Sequence, residues 1–180
     1  MKFRISLLFS LLLFLSSYCQ SQKMNFKLSD FSPQINSLEI TIADINIVID
    51  KSGNVVTVNS TIGGEVDYWT YDSNKKGKIK SIGNIEIDYW TYDNDKKGKV
   101  KSIGNMGVDY WTYDSDKKGK IKSIGNSEVD YWTYDSDKKG KVKSIGNIEI
   151  DYWTYDSDKK GKIKSITGNT PNLFVIREQS

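Results

Sequence analysis

Trp69, Trp90, Trp111, Trp132 and Trp153 are spaced 21 residues apart, and the text around them recurs with them. Each unit reads Asp-Tyr-Trp-Thr-Tyr-Asp, a polar five, Lys-Ile/Val-Lys-Ser-Ile and, in the first four units, Gly-Asn. A fixed period of this length means a stack of like supersecondary units, none of which can bury its apolar face alone.

The second unit shows what the supersecondary unit is. Its segments Ile85 to Asp93 and Lys99 to Ile103 are separated by two different turn signals, which is the pattern of a β-hairpin. Gly104-Asn105 is a two-residue turn with Gly first, as a type II′ turn requires, and Gly63-Gly64 opens the array in the same way. Residues 94–98 make a five-residue loop whose Gly98 suits a positive φ. Closing both turns pairs Asp93 with Lys99, Tyr89 with Ile103, Trp90 with Ser102 and Ile103 with Met106. Because side chains alternate along a strand, Ile85, Ile87, Tyr89, Ile103, Met106 and Val108 share an aliphatic face. Glu86, Asp88, Trp90, Tyr92, Val100 and Ser102 share the other, aromatic and charged. The unequal legs between turns imply a stagger of about four residues per unit, and a sheared, twisted sheet coils toward a barrel or spiral that covers its own aliphatic face.

The fold class that follows is all-β: an antiparallel meander of tandem 21-residue hairpins forming an elongated sheet, coiled or solenoid-like. Residues 65–166 hold the five units. Residues 22–64 keep a degenerate strand–turn–strand order and are expected to cap the same sheet, and residues 167–180 supply a final strand and tail, since an array needs atypical ends to close its edges.

Residues 1–21 carry Lys2 and Arg4, an apolar run from Ile5 to Leu15 and a polar boundary at Ser16 to Gln20, the layout of a cleavable export signal. The run is too short to span a bilayer, and no second one follows, so the mature chain is expected to lack a transmembrane segment and to reside outside the cytoplasm: periplasm, cell surface or medium. Cys19, the one cysteine, lies at the boundary. A bulky Tyr18 precedes it where lipoprotein signals carry a small residue, which weighs against a lipid anchor there.

Loss of Lys2 and Arg4 takes the net charge from +3 to +1. Nucleic-acid binding needs a concentrated cationic face, whereas here lysines are matched within each unit: Glu86, Asp88, Asp93 and Asp95 against Lys96, Lys97, Lys99 and Lys101. Histidine is absent from the chain, and every candidate acid or base recurs in the same local setting, so the composition argues against an enzyme and calls for no cofactor.

Two residue sets remain as candidate sites. Trp69, Trp90, Trp111, Trp132 and Trp153, with Tyr71, Tyr92, Tyr113, Tyr134 and Tyr155, would stack into ladders that offer a platform to a polysaccharide or protein partner. Aromatics also favour strands and cross-strand contacts without any ligand. Asp93 and Asp95, Asp114 and Asp116, Asp135 and Asp137, Asp156 and Asp158 open with Asp-x-Asp-x-x-Gly, the start of a calcium loop. Lysine stands where a third oxygen ligand belongs and the distal Glu is missing, so turn formation is the simpler role and metal is not expected.

Tyr-Trp-Thr-Tyr-Asp followed by Gly-Lys-Ile-Lys-Ser-Ile resembles two bacterial repeat classes over residues 65–166: Tyr-Asp (YD) repeats, in the Tyr-Asp, turn, Gly-Lys-apolar order, and MORN-type repeats, in the aromatic cluster and Gly-Lys-apolar-Lys-Ser hairpin. Choline- and glucan-binding cell-wall repeats are a looser similarity. In kind the chain looks like a small exported bacterial hairpin-repeat protein. These resemblances imply a non-catalytic structural or interaction scaffold first, a carbohydrate-binding envelope module second, and a fragment related to toxin-shell repeats third.

Overall fold

The structure, a computed structural model, describes residues 22–30, 35–61 and 63–178. The expected export signal and the Cys19 anchor alternative lie outside these residues.

Among the described residues there are fifteen strands and no helix. Nine of the strands alternate through the array: β6 (Ile79–Ile82), β7 (Ile85–Tyr89), β8 (Val100–Ile103), β9 (Met106–Tyr110), β10 (Ile121–Ile124), β11 (Ser127–Tyr131), β12 (Val142–Ile145), β13 (Ile148–Tyr152) and β14 (Ile163–Thr167). With β5 (Val66–Tyr68) at its start they form one ten-stranded antiparallel meander. The units join through two-residue turns in which Gly83, Gly104, Gly125 and Gly146 take φ of 52° to 56°. The Asn that follows each Gly stays at negative φ, so the turns are of the Gly-first kind that suits the strand twist.

The aliphatic face is as expected: Ile85, Ile87, Tyr89, Ile103, Met106 and Val108 are all buried. Val100 is buried with them, which corrects its expected place on the outer face. Ile87 pairs with Ile103, Asp88 with Ser102 and Tyr89 with Val100, so the expected Tyr89–Ile103 and Trp90–Ser102 pairs are each displaced. The cause is one extra residue, Lys101, between the last two pairs. Such a bulge reverses the alternation locally, so that Val100 points inward while Lys101 stays out. The same irregularity recurs at Lys80, Lys122, Lys143 and Lys164. It also halves the stagger: Ser81 faces Glu86 and Ser102 faces Asp88, a step of two residues per unit rather than four.

With less shear the sheet stays open, and its aliphatic face is covered by a second sheet rather than by its own coiling. Strands β1 (Gln22–Ser29), β2 (Ile35–Ile42), β3 (Ile45–Asp50) and β4 (Val55–Ser60), with β15 (Leu173–Glu178) beside β1, form a separate five-stranded sheet in the order β15-β1-β2-β3-β4. Residues 22–64 therefore do not cap the edge of the repeat sheet, as expected; most of them build its cover. Phe26, Leu38, Ile40, Ile47 and Ile49, all fully buried, merge with Ile87, Ile103, Ile124, Val129 and Ile145 into one core. β1 and β15 run parallel, with Met24 beside Leu173 and Phe26 beside Val175, so the two flanks of the repeat array close on each other.

The cover is anchored at its ends. The Val100 N–H donates to the Gly53 carbonyl (2.8 Å), and the Ile163 N–H donates to the Asp30 carboxylate (2.8 Å), which also holds Arg177.

Candidate functional site

The outer face of the repeat sheet carries what the core does not use. In each hairpin the backbone N–H of the Trp donates to the carbonyl across the loop, Trp90 to Lys99 (2.9 Å), and the Gly98 N–H returns a bond to the Trp90 carbonyl (2.8 Å). A bulged pair thus closes the loop, and the indole is delivered to the outer face.

There the indoles are only half-exposed. The first four lie over the next unit and donate their Nε1–H to a backbone carbonyl: Trp69 to Ile87 (3.2 Å), Trp90 to Val108 (3.1 Å), Trp111 to Val129 (3.2 Å) and Trp132 to Ile150 (3.3 Å). Two ammonium groups sit over each ring, Lys96 at 4.6 Å and Lys101 at 5.6 Å from the Trp90 centroid. Cations over an indole face are attracted by its quadrupole. The tryptophans are on the outer side, as the alternation requires, but they serve as ties between units rather than as bare platforms.

Lysines make further ties. Lys96, Lys117 and Lys138 each donate to the Asp of the next unit, Asp109, Asp130 and Asp151, at 2.6 Å, and Lys75 does the same to Asp88. Each of these aspartates also receives the bulge lysine of its own hairpin, as Asp88 receives Lys101 at 3.5 Å. Burial alone would raise the carboxyls of Asp88, Asp109 and Asp130, but the lysine bonds and the backbone N–H of the following Tyr outweigh it and hold them below the ordinary range.

Lys78, Lys99, Lys120 and Lys141 also reach forward to the next unit, their ammonium groups capping the carbonyls of Gly98, Gly119, Gly140 and Gly161 over the rings of Tyr89, Tyr110, Tyr131 and Tyr152. Burial lowers these four lysines from their ordinary value. Nothing in the sequence distinguishes them from the other lysines of the repeat except their place directly after Gly.

The aspartates singled out as calcium candidates are otherwise engaged. Asp93, Asp114, Asp135 and Asp156 accept the N–H of Asp95, Asp116, Asp137 and Asp158 at 3.0 to 3.1 Å, and the first three adopt φ near +73°, which short polar side chains tolerate. Asp95, Asp116 and Asp137 pair with Lys118, Lys139 and Lys160 of the following loop at 3.1, 3.2 and 2.9 Å. Among the described residues, no group of three or more potential metal ligands comes together.

What is left free is the tyrosine row. Tyr71, Tyr92, Tyr113, Tyr134 and Tyr155 are 85% to 101% exposed, one at the same place on every loop. Apart from this row, depressions lie between units, walled by an indole and lined by Lys, Glu, Asp and Ser. Trp69, Lys75, Lys80, Glu86, Asp88 and Ser102 line one of about 340 Å³, and Trp111, Lys117, Lys122, Glu128, Asp130 and Ser144 another of about 440 Å³. The sequence presents Trp and Tyr as one ladder; the structure separates a half-buried Trp row that holds units together from a Tyr row that nothing covers.

No family model matches the chain, and neither a curated protein nor a solved structure is significantly similar to it. The resemblance to YD and MORN-type repeats thus rests on the residues alone. Among the described residues no helix is long and apolar enough to cross a membrane, a statement that concerns helices and not strands.

Proposed function

We propose that this protein is an exported, non-catalytic interaction scaffold that presents a regularly spaced row of tyrosines to an extended partner. The observation that carries this reading is the near-complete exposure of Tyr71, Tyr92, Tyr113, Tyr134 and Tyr155. A phenol free of packing contributes nothing to the core, and repeated exposure of a large aromatic is the mark of a contact surface. Unit-to-unit ties beneath it hold the row rigid, and successive tyrosines recur every two strand widths, roughly 10 Å. A rigid row engages a repeating partner without a large ordering cost.

The depressions of indole, Lys, Glu, Asp and Ser favour a second reading, an envelope module for polysaccharide, because a sugar ring stacks on an aromatic wall while charged and hydroxyl groups hold its hydroxyls. The test uses Tyr92→Ala, Tyr113→Ala and Tyr134→Ala in one chain. Thermal unfolding should match the parent, while the share of protein retained on fractionated envelopes of the producing cell should fall at least about tenfold. Unchanged retention would remove the tyrosine row as the contact surface. Co-sedimentation of the parent with purified peptidoglycan and exopolysaccharide then separates the two readings, since only the envelope module binds these without protein.

A further inference from the structure

The two ends of the repeat sheet are the two halves of the interface that joins its units. Units one to four each send forward an indole N–H, an ammonium to an Asp and an ammonium to a Gly carbonyl. In unit five the same groups have no unit ahead. Lys159, the counterpart of Lys138, folds back onto Asp156 of its own loop at 3.1 Å. Among the described residues the Trp153 indole N–H and the Lys162 ammonium, counterparts of Trp132 and Lys141, have no hydrogen-bond acceptor.

At the opposite end the acceptors stand waiting. Among the described residues Lys80 of its own hairpin, at 2.9 Å, is the one lysine on Asp67, where Asp88, Asp109, Asp130 and Asp151 each receive a second lysine from the unit behind. Val66 and Tyr68, counterparts of the buried Ile87 and Tyr89, are 37% and 48% exposed on the edge strand β5. On β14 at the other edge Ile166 is 37% exposed where its counterpart Ile145 is buried. An edge strand with unpaired backbone and apolar side chains is a template for another strand.

We propose that a second copy of this chain adds β5 to β14, so that the inter-unit contact continues from one molecule to the next. Lys159 then reaches Asp67 of the second copy, Lys162 caps its Gly77 carbonyl, and the Trp153 indole donates to its Val66 carbonyl. The occupant is set by complementarity: unit five offers the donors that unit one accepts, in the register already repeated four times inside the molecule. The contact is heterologous, head to tail, and therefore open-ended.

The test is sedimentation velocity on protein purified as the producing cell delivers it, from micromolar to millimolar. The parent should form species that grow beyond a dimer with concentration. Asp67→Lys and Lys159→Asp each place like charges across the contact and should weaken association at least about tenfold, with thermal unfolding unchanged. Mixed in equal amounts, the two variants restore opposite charges at every junction, and association should return. A parent that stays monomeric throughout would overturn the proposal. So would variants that associate as the parent does, or a mixture that fails to recover.

Discussion

The phenol of Tyr110 closes on the backbone of Gly53 so tightly that a Cβ on Gly53 would lie 2.6 Å from the Tyr110 hydroxyl oxygen and 2.9 Å from the Cβ of Lys99. Gly53 also sits at φ +83°. The turn between β3 and β4 is thereby keyed into the repeat sheet, and its glycine is required twice, once for conformation and once for space.

Replacing Gly53 by Ala should therefore cost about 2 to 3 kcal/mol, combining left-handed strain with a steric clash that rigid neighbours cannot relieve. Gly63, at φ +75° with nothing within 4 Å of where a Cβ would stand, is the control, and its Ala variant should lose only about 1 kcal/mol. Urea unfolding of the pair measures the difference.

Two buried tyrosines should answer differently to loss of a hydroxyl. Tyr131 donates to the Ile121 carbonyl at 3.1 Å, whereas among the described residues the Tyr110 hydroxyl has no partner. Tyr131→Phe should cost about 1 kcal/mol, and Tyr110→Phe should be neutral or stabilising, because it removes a buried polar atom that makes no bond. Equal losses in chemical denaturation would contradict this account of the core.

The indole ties can be tested inside the array. Trp132→Phe deletes a bond to Ile150 and packing over the next strand and should lower stability by about 1 to 2 kcal/mol. Among the described residues the Trp153 indole makes no such bond, so Trp153→Phe should fall within about 0.5 kcal/mol of the parent. Thermal melts followed by circular dichroism would show the contrast.

Stability should depend on pH at both extremes. Burial, with the Asp88 charge, raises Tyr89 to about 12, and burial raises Tyr110, Tyr131 and Tyr152 as well. A group whose folded pKa is raised contributes fully below its unfolded value, so this contribution holds to about pH 10 and is lost as pH climbs toward 12. The lowered lysines act oppositely, adding stability as pH approaches about 10.4. Stability should therefore hold or rise slightly up to about pH 10 and then fall, with tyrosinate absorbance rising in the same step. On the acid side Asp88, Asp109, Asp130 and Asp151 are held low, so their contribution is present above about pH 4 and is lost as pH falls below it. A urea midpoint series across pH checks both limbs.

The hairpins and the division of faces were legible because they depend on neighbours in sequence: a Gly-first turn at Gly104-Asn105 and strict alternation through Ile85, Ile87 and Tyr89. Val100 was misplaced because counting by twos has no provision for one extra residue, and a bulge at Lys101 leaves no mark in the composition. The cover sheet was illegible for a different reason. Ile45 to Val58 alternates like any hairpin, and which sheet it joins is decided by docking across the core. The parallel pairing of Met24 with Leu173 bridges nearly the whole chain, beyond the reach of local pattern. The Trp and Tyr rows looked equivalent because only the fold places a carbonyl 18 residues ahead under the indole.

The cover sheet has a consequence for how many units the protein can hold. Repeats that touch only their neighbours can be gained or lost singly, and removal of residues 86–106 from such an array would leave a shorter folded one. Here Gly53 is fixed on Val100 in the second hairpin and Asp30 on Ile163 in the fifth, so the span between those anchors is a fixed ruler laid along the array. Taking out one period shortens the array by roughly 10 Å while the ruler keeps its length. The copy number of the hairpin is thus held constant by a part of the chain that contains no copy of it.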